Sequence, residues 1–399
     1  PGPILQIGRN GDQSSMIDMI IQKYDRQLLI YLCILAVLGT VMLYSASWYE
    51  SFATSNGRTD MLYLQNHLKR LLVGVFFLFG FLILDYRMLK DIAPYLVMAS
   101  ILLLIITKIY YLANGHSWYK PSRWLYVGPF SLQTSDLARF SIIVFMAYYA
   151  DKKREQLQQF QKGLLPALGL LTVIMGLIII QPDYSTALMI GAIGVLILFI
   201  GGAQISQLSL SGAGALLIGI PVLLSREYRR IRIFSFFGIG DDPDAGYQAS
   251  QSLISLGNGG IFGVGLGNSI EKNHFLPTPH TDFIFAIIGE ELGFIIGTVP
   301  ILTLFLLIFF RGLKIAKECT DPFGVFLAVG IAFNLVLYAF VNAAVVSGIF
   351  PVTGLPMPMV SYGGSEMVTN MAMMGILLNI SQSRRSVGSK RGWSPALYG

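Results

Sequence analysis

Apolar residues come in long runs divided by polar breaks. Ten runs can be traced, at residues 28–46, 68–84, 92–112, 131–150, 163–180, 185–201, 208–224, 283–310, 323–345 and 365–382. Most approach or exceed the roughly 18–20 residues a helix needs to cross the hydrocarbon core of a bilayer. Backbone groups find no water there, so such runs must satisfy their own hydrogen bonds as helices. The pattern predicts an all-α, polytopic integral membrane protein with about ten transmembrane helices. The runs at 185–201 and 208–224 are the least clearly divided, because GGAQISQLSLSGAGA between them carries no charge; one of the two is expected to be irregular or tilted.

The polar breaks differ in character. Three are long and rich in Gly, Pro, aromatic and polar residues: 113–136, 225–282 and 346–366. Loops of this length in a compact protein are usually functional when their composition argues against disorder. The 225–282 stretch, between helices seven and eight, is expected to be a large extracytoplasmic loop. Residues 1–27 are expected to be a cytoplasmic N-terminal segment, partly extraneous sequence. Residues 28–383 are expected to form a single transmembrane domain, and 384–399 a cytoplasmic tail.

Composition agrees with the pattern. Of 399 residues, 54% are apolar and 13% charged, about half the charged share of a soluble protein. The net charge of +6 does not call for nucleic acid, because basic residues gather on the cytoplasmic loops of any inner-membrane protein. No aromatic residues interleave with them to stack on bases. An even number of spans puts both termini on one side. With the termini inside, Arg87, Lys90, Lys152, Lys153, Arg154, Lys162, Arg311, Lys314 and Lys317 fall in cytoplasmic segments. The short outer loops and their helix ends hold fewer: Arg58, Lys69, Arg70, Lys108, Lys120 and Arg123. The two cysteines, Cys33 and Cys319, are placed too differently for a disulfide to be expected.

Function is therefore expected on the outer face. Asp282 closes the long loop directly before the run that begins at Phe283. A carboxylate there either caps the helix or acts as a general base. Asp183 sits in a short turn between two runs. Asp136 and Arg139 lie three residues apart on one helix face, as a local ion pair or as cavity-lining groups. Arg226, Arg229, Arg230 and Arg232 form a basic cluster suited to a lipid diphosphate or to bulk phospholipid headgroups. The glycines of GNGGIFGVGLG (257–267) read weakly as a phosphate cradle and equally well as a flexible or re-entrant loop. His274, His280 and Asp282 do not have the spacing of a zinc site. A divalent cation such as Mg2+ or Mn2+, held jointly by Asp282, Asp183, Asp136 and a substrate diphosphate, fits the carboxylates better.

With these residues in view, the chain resembles the SEDS family (FtsW/RodA/SpoVE). The resemblance runs from about Tyr24 to Ser383. It is carried by TVMLYSAS (40–47), SRWLYVGPFSLQTSDLARF (122–140), QPDYSTA (181–187), the stretch 246–294 that ends in HTDFIFAIIGEELGF, and GIFPVTGLPMPMVSYGGSE (348–366). The stretches 71–89 and 148–168 resemble the FtsW (division) type more than the RodA (elongation) type. The resemblance implies a peptidoglycan glycosyltransferase that polymerises lipid II on the outer face of the bacterial cytoplasmic membrane, at the division septum. A class B penicillin-binding protein would be its partner, within a larger division or elongation complex. It places the family's essential loop aspartate on Asp282 and its QPD aspartate on Asp183. The family's usual Gln-Pro-Ser-Glu followed by Lys reads here as Gln133-Thr134-Ser135-Asp136 with Arg139. Ser185 stands where Gly is usual, and Glu366 where a second Ser is common. Arg123, Lys272, Arg229, Arg230, His280, Ser361 and Tyr362 are supporting or diphosphate-binding candidates. Two rival readings are a lipid II flippase and a non-catalytic scaffold that activates its partner synthase.

Overall fold

The computed structural model describes residues 24–115, 122–127, 130–225, 227–237, 239, 243–273 and 275–383. Lys120, Arg226, His274, the side chain of Arg229, residues 1–23 and the 384–399 tail lie outside them. Helices form at all ten apolar runs. They are α1 (Arg26–Thr54), α2 (Leu62–Ile83), α3 (Met88–Ala113), α4 (Thr134–Lys152), α5 (Leu165–Ile180), α6 (Tyr184–Ile200) and α7 (Ile205–Leu224). After two further helices, α8 (Glu227–Phe236) and α9 (Pro243–Gly259), come α10 (Ile284–Gly293), α11 (Val299–Glu318), α12 (Pro322–Val346) and α13 (Ser365–Ile380). Among the described residues, 7 helical stretches are long and apolar enough to cross a bilayer. The protein is a polytopic helical membrane protein.

The inner helices are α4, α12 and α13, whose side chains are buried on nearly every face. The outer helices keep much of their apolar surface exposed, as lipid-facing helices do; on α7 only Leu208 is buried. α13 lies directly on α2, with Gly375 against the backbone of Leu78, where a Cβ has no room. At the end of the bundle holding the start of α1, Asp25 caps α1 by accepting from Leu28 N (3.0 Å). Both of its oxygens also take Arg311 Nε at 2.8 Å, and its own N–H donates to Ser381 Oγ. Asn379 accepts from Tyr86 N and donates to Leu82 O. Four helices are thus tied together at that end.

Two expectations about the connections need correction. The run at 283–310 is not one continuous helix. It breaks at Gly293, whose φ of 76° suits only glycine comfortably, and resumes through a π-helical turn at Phe294–Thr298. Breaking a helix frees backbone groups that must bond elsewhere within a membrane protein. The glycine-rich stretch supplies the partners. Val264 N donates to Glu290 O (2.9 Å), Gly265 N to Glu291 O (3.0 Å), Phe294 N to Gly260 O (3.0 Å) and Ile295 N to Ile261 O (3.1 Å). Gly259 and Gly263 press on the backbone of 289–292 with no space for a Cβ. Glycines of this stretch make backbone contact with α10 and the turn that follows it.

The second correction concerns 225–282, which is not all loop. It contains α8 and α9, and α9 docks through its small polar face. Ser252 donates to Val346 O (3.0 Å), and Ser255 to Ala286 O and Glu290 Oε2. Those serines, surrounded by glycine, hid the helical period. Likewise the 113–136 connection contains a two-stranded antiparallel ribbon, β1 (Trp124–Val127) with β2 (Phe130–Gln133), in which Trp124 pairs with Gln133.

Candidate functional site

At the end opposite Asp25, a cavity of about 220 Å3 opens among the ribbon, the turn before α6, the turn before α10, α12 and the 354–366 segment. Asp136, Asp183 and Asp282 all line it, together with Arg123, Tyr362 and Glu366. Residues separated by more than 200 positions in the chain therefore meet in one place. A shallower depression at the far end, lined by Leu313, Lys314, Lys317 and Glu318, brings no buried polar cluster together.

Each carboxylate is held by its own local structure. Asp183 stands directly before α6, and its Oδ2 accepts from Ser135 Oγ (3.2 Å) and Gln133 Nε2 (3.4 Å). Its Oδ1 lies 3.7 Å from Arg123 Nη1, while Arg123 Nη2 donates to Pro182 O. Asp136, in the first turn of α4, accepts from Ser365 Oγ (2.7 Å) and lies 3.4 Å from Arg139 Nη2. Two side-chain bonds thus cross from α4 to its neighbours at the cavity wall.

Asp282 differs from both. It does not cap α10, whose N-cap Phe283 has no side-chain capping bond. Its carboxylate accepts from Thr281 Oγ1 (2.7 Å) and is half-buried at the cavity. Burial pushes the Asp282 carboxyl above the usual carboxylate range, against the lowering effects of the Thr281 hydrogen bond, Arg232 and His280. A partly desolvated carboxylate with a raised pKa is what a general base near neutral pH requires. Nearby, Thr278 and Met359 hold φ values of 48° and 61°, conformations that cost non-glycine residues about 1–3 kcal/mol and concentrate at functional sites.

The other candidates divide. Tyr362 lines the cavity, with its ring edge-on to Tyr63 (5.1 Å between centroids) and beneath the Arg70 guanidinium (4.5 Å). His280 is buried behind it, 3.1 Å from Glu50 Oε2, with its ring tilted 40° to that of Tyr63 at 4.4 Å between centroids. Its carbonyl accepts from Tyr362 N, so it supports the wall without lining it. Ser361 accepts from Met357 N (2.8 Å) and shapes the 351–364 turn. Lys272 is committed elsewhere: its Nζ binds Glu291 Oε1 (2.6 Å), Gly267 O and Ser45 Oγ, away from the cavity. Arg230 is exposed on α8. Arg139 is only 1% exposed and lies over the Tyr338 ring at 4.4 Å, with Asn370 Oδ1 at 3.4 Å and Glu366 Oε1 at 4.0 Å. It holds carboxylates from behind the wall.

Sequence reasoning missed Glu366 and Tyr338 as site residues. A carboxylate at the start of a membrane helix was the available signal for Glu366; nothing distinguished Tyr338 from other interfacial aromatics. As for a cation, no group of three or more His, Cys, Asp or Glu among the described residues is arranged to hold one. Asp136 Oδ2 and Asp183 Oδ2 accept from protein donors, and their Oδ1 atoms face Arg139 and Arg123. Among the described residues, this donor set is not arranged as a resident metal site.

Comparison with known proteins agrees in extent and fold. The FtsW/RodA/SpoVE family model, described as "Cell cycle protein", matches residues 26–386. The probable peptidoglycan glycosyltransferase FtsW of Geobacter metallireducens is 36% identical over 366 residues, covering 90% of this chain and 95% of that one. Stage V sporulation protein E of Bacillus subtilis is 35% identical over 362 residues, covering 90% and 98%. A chain in the solved structure described as "Structural coordination of polymerization and crosslinking by a peptidoglycan synthase complex" superposes with a TM-score of 0.73 at 26% identity, covering 90% and 98%. The rod shape determining protein RodA of Thermus thermophilus superposes at 0.64 with 26% identity, covering 91% and 98%.

Proposed function

The chain belongs to the FtsW/RodA/SpoVE family of cell cycle proteins, and on that premise we propose that it is a peptidoglycan glycosyltransferase polymerising lipid II, with Asp282 as general base. The observation that carries this reading is the convergence of Asp136, Asp183 and Asp282 on one cavity, where Asp282 is pushed up by burial and, among the described residues, lacks the ion pair that Arg139 gives Asp136 and Arg123 gives Asp183. The acceptor sugar's 4-hydroxyl gives its proton to Asp282 as its oxygen bonds C1 of the donor. The C1–O bond to the diphosphate breaks, and the electron pair leaves with undecaprenyl diphosphate. One displacement inverts the anomeric centre, as at other inverting sites built on carboxylates. Arg123, at the cavity wall, offsets charge on the departing diphosphate; Arg139 positions Asp136 and Glu366 from behind.

The site end is the extracytoplasmic one in this reading. Support comes from the opposite end, where Arg87, Lys90, Lys152, Arg311, Lys314 and Lys317 gather, as expected of a cytoplasmic face. Both termini are then cytoplasmic. The likeness to a chain of a peptidoglycan synthase complex supports a class B penicillin-binding protein as partner, and the FtsW-named relatives support the division septum as the place of work.

Purified protein with Asp282→Asn, given lipid II and its partner synthase, tests the assignment. Glycan formation is expected to fall by about 10²–10⁴-fold, the usual share of a general base, with partner binding kept. Normal polymerisation by the variant would remove Asp282 from the mechanism.

A further inference from the structure

We propose that Glu366 and Tyr338, backed by Arg139, form a subsite at the cavity floor that recognises the hydroxyl and amide groups of a single sugar ring, while the diphosphate stays at the Arg123 side of the mouth. This rests on the reading above that the substrate is a lipid-linked sugar.

Three observations carry the subsite. The first is unsatisfied chemistry. The Tyr338 hydroxyl is buried without a hydrogen-bond partner, and Tyr338 is only 2% exposed yet lines the cavity. Buried polar atoms are nearly always bonded, so orphaned ones beside a cavity point to a ligand. Glu366 lines the same cavity at 5% exposure. Its Oε1 lies 3.4 Å from Asn370 Nδ2 and 4.0 Å from Arg139 Nη1, leaving acceptor capacity for a further donor.

The second is charge. Asp136, Asp183 and Asp282 line the cavity against one lining guanidinium, Arg123, with Arg139 behind the wall. A doubly charged diphosphate set among these carboxylates is repelled. A neutral sugar, with hydroxyls that donate and accept, is not. The third is size. About 220 Å3 falls below the roughly 300–1,000 Å3 of pockets that enclose drug-sized ligands. One ring fits; a disaccharide with its peptide and diphosphate does not. Asp282 at the same cavity then selects the acceptor's terminal sugar as the ring bound there.

Binding to the purified full-length protein in nanodiscs tests this with two probes, lipid II and undecaprenyl diphosphate. Glu366→Gln is expected to weaken lipid II by up to about tenfold, the size of one hydrogen bond, and to leave undecaprenyl diphosphate within about twofold. Glu366→Asp is expected to recover part of the lipid II affinity. Arg123→Gln is expected to weaken both probes. Retained binding of undecaprenyl diphosphate reports that each Glu366 variant is folded. The subsite is overturned if Glu366→Gln tightens undecaprenyl diphosphate, which would put the diphosphate on the floor. It is also overturned if lipid II binds Glu366→Gln as it binds the parent. Wild-type protein that binds lipid II with this profile but never joins its sugars would refute the glycosyltransferase reading and leave the subsite standing.

Discussion

Asn342 on α12 donates its amide to the backbone carbonyl of Asp282 at 2.7 Å and to that of Leu355 at 2.8 Å. One side chain thus fixes both the turn that carries Asp282 and the segment across the cavity from it. Tyr338 lies one helical turn earlier, on the same face of α12. Replacing Asn342 with Ala orphans two carbonyls, each costing about 1–3 kcal/mol when buried. A base displaced by an ångström can lose about 10²-fold in rate. Asn342→Ala is therefore expected to lower turnover on lipid II by one to two orders of magnitude with a smaller change in KM, measured by steady-state polymerisation.

The pH dependence follows from Asp282. Burial raises its pKa, so the rate should climb with pH through a limb above the ordinary carboxylate value of about 3.9. Stability runs the other way. A carboxyl whose folded pKa exceeds its unfolded value favours the fold while protonated, and that contribution is lost as pH rises through the folded pKa. Asp282→Asn should then melt higher than the parent at pH 7, with the gap closing as the pH approaches the unfolded carboxyl's pKa. Melting curves at several pH values check the sign.

Lys272 and Glu291 form a buried pair far from the cavity, with side chains 1% and 0% exposed. Removing one partner of such a pair costs about 3–5 kcal/mol because the other charge is stranded. Lys272→Met should sharply lower the melting temperature. Lys272→Met with Glu291→Gln should recover much of it, since no charge is then left alone. Equal losses in the single and double variants would contradict the pairing.

Gly375 permits the close approach of α13 to α2. Gly375→Leu must push the helices apart, at about 1–3 kcal/mol or more for overpacking. Because Ser365 and Glu366 begin the same helix, lipid II binding should weaken along with thermal stability. Gly80, on α2 with open space at its Cβ position, is the control: Gly80→Ala should be silent in both assays.

A cation test follows from the donor set. With Asp136 and Asp183 bonded to protein donors, Mn2+ titrated into the protein without lipid should show no tight site by electron paramagnetic resonance. A stoichiometric, high-affinity signal lost in Asp183→Asn would show that these bonds yield to metal.

Much of the fold was legible because burial in a bilayer writes itself as run length. All ten runs became helices, since nothing else satisfies the backbone there. The break at Gly293 was not legible. Its partners lie about 30 residues upstream among glycines that carry no periodicity, and only pairing 260–265 with 290–295 reveals it. Helix α9 was hidden because it docks through Ser252 and Ser255, polar residues that read as loop. At the site, Asp136, Asp183 and Asp282 could be nominated as costly charges near membrane helices, but their meeting depends on helix packing that no local pattern encodes. Lys272 looked like a site residue because it lies among motif residues; its partner Glu291 was invisible as one until the broken helix turned toward it.

The order in which the chain leaves the ribosome now matters. Arg139 is delivered early, with Asp136 three residues before it, yet Asn370 and Glu366, which complete its surroundings, lie in α13, the last helix among the described residues. At roughly 5–20 residues per second, that helix follows on the order of ten seconds or more later. Until then a guanidinium destined for 1% exposure waits at the membrane without Asn370 and Glu366, and the face of α2 that Gly375 will cover stands open. A chain cut short before residue 365 therefore has no floor to its cavity. Synthesis itself keeps the site unassembled until the final helix arrives.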